Sequence, residues 1–139
     1  RMWGRKMWLD ILERFPLLKQ KFTLQRDAMS FEELNKRMNC SKIYPIDHHP
    51  GIINGIHARV FDAIACGIMP LVEYRKDIEH VFKDIKIPTF KNYAEVKGIT
   101  KYYLKNDSER ENICNELYEF ASKEMSANKC IKNILTKII

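Results

Sequence analysis

Three short apolar runs, KIYPI (42–46), IMPLVEY (68–74) and IKIPTF (85–90), each lead into a stretch with helical periodicity. This alternation constrains the fold more than any other feature of the chain. A strand that returns parallel to its predecessor needs a long crossover, and the economical crossover is a helix laid on the sheet. With a further short run, KFTL (21–24), and a helical stripe before it (Trp3, Met7, Ile11, Phe15), the expected order is α-β-α-β-α-β-α-β-α-α-α. That order predicts a Rossmann-like, three-layer α/β/α domain with a mainly parallel sheet and C-terminal helices.

Local punctuation supports the boundaries. Ser30 with Glu33 and Ser108 with Glu111 have the spacing of capping boxes, so helices should begin near Phe31 and just after Asp107. Gly67 closes HARVFDAIAC as a C-cap, and Pro70 needs a place in its strand where no ladder donor is missed. No repeat, low-complexity tract or long loop divides the chain, so its 139 residues are expected to form a single domain. The chain starts at Arg1 rather than Met and already looks helical there, which suggests a piece of a longer protein.

The net charge of +6 favours anionic partners such as nucleotide phosphates, nucleic acid or an acidic membrane surface. Ten of the 24 Lys/Arg fall within residues 1–42, against five acids, which is where most of the excess arises. No RNP-like aromatic stretch or Arg-rich block accompanies the charge, so nucleic acid is not the expected partner. The four cysteines (Cys40, Cys66, Cys114, Cys130) have neither zinc-finger nor redox spacing, which fits a reducing cytoplasm. No apolar run reaches the ~18–20 residues of a membrane span, and peripheral attachment to a membrane stays open.

Chemistry-bearing residues cluster after the 42–46 strand. In parallel sheets ligands bind beyond the carboxyl ends of strands, and the loop 47–56 lies at such an end. Asp47-His48-His49 could bind Mn²⁺ or Zn²⁺ in the manner of a DHH-type phosphoesterase. Residues 1–46, however, hold only Asp10 and Asp27 as aspartates and no histidine, so the upstream acidic ligands are missing. The plainer reading makes His48 and His49 polar loop residues. A phosphoacceptor receiver domain shares the strand–helix alternation, but Asp47 alone does not supply its paired acids.

The denser constellation is HARVFDAIACGIMPLVEY, with an Arg and a Phe-Asp pair in a small-residue helix, then Gly and a strand. It resembles the "(P)xxRxFExxAxG-x-x-[P]-apolar" run in the donor-binding half of GT-B fold glycosyltransferases. Downstream, FKNYAEVKGITKYYLKNDSERENICNELYEF is similar to that group's "y.s..el...i.yyl.n..er..i" ending. The resemblance is nearest to CgeB-like glycosyltransferases and covers about residues 20–139, with 55–73 its best segment. It implies a nucleoside diphosphate sugar as donor, an unknown acceptor, a missing N-terminal domain, and no bound metal or other cofactor.

The residues themselves suit such a donor. The amides of a helix starting near His57 form an anion-binding end, and Gly51 and Gly55 allow close backbone approach to a diphosphate. Arg59 can bind phosphate, and Asp62 can accept hydrogen bonds from ribose hydroxyls. Each also has a structural alternative: a surface salt bridge for Arg59, a local helix contact for Asp62, and a plain N-terminal helix position for His57. Many retaining GT-B enzymes carry two glutamates with seven residues between them. The matching positions here are Asn54 and Asp62, so the double-carboxylate arrangement is incomplete, and a non-catalytic binding or interaction module of the same fold is the alternative.

Overall fold

The computed structural model describes residues 29–48, 53–83 and 85–138. The chain divides into two units, Arg1–Lys36 and Arg37–Ile139. Of the first, only residues 29–36 are described, so the expected 3–15 helix and 21–24 strand lie outside the described residues. The elements in chain order are α1 (Phe31–Asn39), β1 (Ile43–Ile46), α2 (Ala58–Ala65), β2 (Met69–Glu73), α3 (Lys76–Phe82), β3 (Thr89–Phe90), α4 (Tyr93–Lys105), α5 (Asp107–Glu124) and α6 (Ala127–Ile138).

At the start of α1, Ser30 Oγ accepts the Glu33 N–H at 3.2 Å, which forms the forward half of the expected capping box.

In the second unit the three strands form a parallel sheet in the order β1-β2-β3. The fold is therefore Rossmann-like α/β. Both crossovers step in the same direction, which puts α2 and α3 on one face. There the Phe61 and Phe82 rings stack 6.2 Å apart, and Phe120 of α5 packs on Phe82 at 5.8 Å. Val60, Ala63 and Ile64 of α2 join Ile113 and Leu117 of α5 in one buried cluster with Ile46 and Val72 of the strands. Each buried Val, Leu or Ile of this cluster contributes about 1.5–3 kcal/mol by leaving water.

The sheet accommodates its prolines by alternation. Val72 donates to Pro88 O on the β3 side (3.0 Å), whereas Met69 donates to Lys42 O on the β1 side (3.3 Å). Pro70, two residues before Val72, therefore turns its nitrogen toward β3, but β3 pairs only from Val72↔Thr89 onward. No ladder bond is lost. By the same alternation Pro45, opposite Leu71, turns its nitrogen to the side of β1 away from β2.

Gly67 ends α2 as expected, at φ 68°. Gly67 N–H donates to Ile64 O (3.0 Å) and Ile68 N–H to Ala63 O (2.9 Å), a Schellman motif, with Ile68 buried beyond it. Two expectations shift. The third strand shrinks from 85–90 to Thr89–Phe90, because Lys83 turns left-handed at φ 49° after α3 and the chain reaches the sheet only past Pro88. The second capping box does not form. Asn106 ends α4 and begins α5, and its side-chain amide donates back to Tyr102 O at 2.9 Å, leaving no side-chain cap on α5.

That α4–α5 corner is densely paired. Arg110 is 5% exposed; its Nη1 donates to Tyr103 O at 3.0 Å and to Asp107, and its Nη2 reaches Glu111 at 3.4 Å. Lys42 pairs with Asp107 at 3.3 Å, and Glu109 accepts from Lys86 (2.8 Å) and Tyr102 Oη (2.7 Å). The YYLKNDSER stretch thus builds scaffold.

Candidate functional site

The register Ile46↔Val72 brings the exits of β1 and β2 side by side, so residues 47–48 meet residues 73–75. Polar side chains collect there. Glu73, the last residue of β2, accepts the His48 backbone N–H at 3.0 Å. Its other oxygen lies 3.3 Å from Arg75 Nη2. Arg75 Nη1 donates to Tyr74 O at 2.9 Å. Asp47 accepts from Tyr93 Oη at 3.2 Å, which ties the β1 exit to the start of α4.

His48 is 3% exposed, and neither of its ring nitrogens has a hydrogen-bond partner among the described residues. The same holds for Nε and Nη2 of Arg75, since the Nη2–Glu73 approach is an ion pair by distance without hydrogen-bond alignment. Burial, and next the Arg75 guanidinium, push the His48 imidazole below its ordinary value of 6.5; Glu73 and Asp47 oppose the shift and His57 adds to it. His48 is therefore neutral near pH 7, with one donor and one acceptor to offer.

The loop before α2 is fastened from within. Gly55, at φ 98°, donates its N–H to Asp77 of α3, a conformation that favours glycine. His57 is the N-cap of α2: its Nδ1 accepts the Arg59 N–H at 3.1 Å, and its ring stands edge-on to His48 at 6.5 Å. One amide of the helix end expected to face an anion, that of Arg59, and the amide of Gly55, expected to allow close backbone approach, are thus already bonded within the chain.

The other expected site residues divide. Gly51 and His49 lie outside the described residues. Asn54 is exposed in the loop, and Arg59 and Asp62 are exposed on α2, where no salt bridge or hydrogen bond engages either side chain among the described residues. Glu73, Arg75, Asp77 and Tyr93 were not singled out from the sequence. The readable signal for the first two was LVEYR, where an acid and a base follow directly on an apolar strand. Among the described residues no group of three or more His, Cys, Asp or Glu is placed to hold a metal ion, and a guanidinium beside His48 opposes a cation there. No helix among them is long and apolar enough to cross a membrane.

A profile of the glycosyl transferase-like family matches residues 2–136. The chain belongs to that family. No curated protein and no solved structure matches it. For a glycosyl transferase-like chain, sugar donors and acceptors are the general substrate class, and the polar groups at the β1 and β2 exits stand where a parallel α/β sheet takes its ligands.

Proposed function

We propose that this chain is the donor-binding, C-terminal half of a GT-B, CgeB-like glycosyltransferase, which moves a sugar from a nucleoside diphosphate to an acceptor held by another domain. The observation that carries the reading is the gathering of unpartnered polar groups at the carboxyl end of the sheet in a chain of this family. On this reading the exposed Arg59 guanidinium meets the diphosphate and lowers the barrier by stabilising charge on the leaving phosphate. Asp62, one turn on, accepts from the ribose. The acceptor and any general base come from outside the chain, so alone it binds donor and turns over little.

The test is thermal unfolding with UDP, GDP, CDP, or Mn²⁺ without nucleotide. A ligand at ten times its Kd stabilises by about 1.4 kcal/mol, or roughly 4–6 °C in a domain of this size. One diphosphate should raise Tm, and Asp62→Ala should abolish the rise. A rise with Mn²⁺ alone that disappears in His48→Ala would instead support the phosphoesterase chemistry. No response to any nucleotide, in a chain shown to be folded, would favour the interaction module.

A further inference from the structure

Buried polar atoms are almost always hydrogen-bonded, because each one left alone forfeits its hydration. Four such atoms, His48 Nδ1 and Nε2 with Arg75 Nε and Nη2, lie unpartnered among the described residues around a single carboxylate, Glu73. Glu73 lies within ion-pair reach of Arg75 and offsets its charge. Among these three side chains the charges cancel, since His48 is neutral, and they offer three donor nitrogens and one acceptor; the Asp47 carboxylate beside them adds negative charge. A phosphate is poorly matched to such a place, because its charge would meet an arginine already paired with an acid. A neutral group dense in hydroxyls is well matched, because each hydroxyl both donates and accepts.

We propose that His48 and Arg75, held in place by Glu73, form the subsite that takes the uncharged sugar of the donor. This rests on the donor-binding reading above and adds a division of labour to it. The exposed Arg59 and Asp62 face the nucleotide, and the buried pair reads sugar hydroxyls. Glu73 is a positioning residue, acting through Arg75 and the His48 backbone.

The experiment is calorimetric titration of the intact chain with UDP against UDP-glucose and UDP-N-acetylglucosamine, and with GDP against GDP-mannose. The native chain should bind one sugar nucleotide about tenfold more tightly than its parent diphosphate, the effect of one good hydrogen bond to a buried group. In His48→Phe, which keeps ring volume and removes both nitrogens, the two affinities should converge to within about twofold, with the bare diphosphate unchanged. The Glu73→Gln/Arg75→Met pair, which leaves no lone buried charge, should give the same convergence and covers the case in which His48→Phe does not fold. A parallel loss of the bare diphosphate in these variants would assign the pair to phosphate and overturn the proposal. So would a sugar preference that survives both variants, or a native chain that binds sugar nucleotide no better than diphosphate. Failure of the native chain to bind any of these ligands would sink the donor reading itself, and is recognisable as such before any variant is made.

Discussion

Arg75 and Arg110 are two largely hidden arginines with very different sets of partners. Their side chains are similarly hidden, 12% and 6% exposed. Arg110 reaches the Tyr103 carbonyl and two carboxylates and joins α4 to α5. Arg75 has one backbone acceptor and one loosely aligned carboxylate, with two nitrogens left over. Burial alone therefore does not say whether a charge is fully partnered. What separates them is whether the fold itself supplies the partners. At the α4–α5 corner it does, and at the β1–β2 exit it supplies fewer than the groups can use.

The largest effect should come from the corner. Arg110→Ala removes charge-assisted hydrogen bonds and is expected to cost about 2–3 kcal/mol, read as a lower denaturant midpoint at unchanged slope, while the nucleotide response of Asp62 persists. Equal loss of nucleotide response in a folded Arg110→Ala chain would mean the two regions are not separate. A smaller, pH-dependent effect belongs to His48. Its native value lies below 6.5, so its contribution is complete above that pH and declines as pH falls from there toward the native value, where the unfolded chain takes up a proton that the folded one refuses. His48→Gln should flatten that part of the stability curve, and a curve that keeps its slope would assign the titration elsewhere. The smallest change in stability is expected for Glu73→Gln/Arg75→Met. Replacing this largely buried ion pair by neutral groups of similar volume should cost less than about 1 kcal/mol of unfolding free energy. A loss near that of Arg110→Ala would show that Arg75 is scaffold too.

The comparison also explains what could be read in advance. The Gly67 stop was legible because a Schellman motif is written in six consecutive residues. The parallel α/β class followed from alternating runs, and Pro70 was recognised as a constraint because its missing donor is fixed by covalent structure. Ser108 misled because Asn106 serves two helices at once, which a capping pattern read in isolation cannot register. The third strand was overextended because the left-handed turn at Lys83 gives no sign in a run of apolar residues. The candidate site was half legible. Arg59 and Asp62 could be named as candidates because they lie in one local motif, and the structure shows them only as exposed on α2, whereas His48 and Glu73 are 25 residues apart and meet only through strand register. Register is set by how two apolar faces pack, so no window of sequence contains it.

Pro45 has a meaning beyond its fit in β1. Its nitrogen faces the outer side of a strand whose only described partner is β2. A peptide laid along that side would find the middle of its ladder blank where a donor should be. Any strand added on that side, from this chain or another, would lose one ladder bond at Pro45, which weakens pairing there.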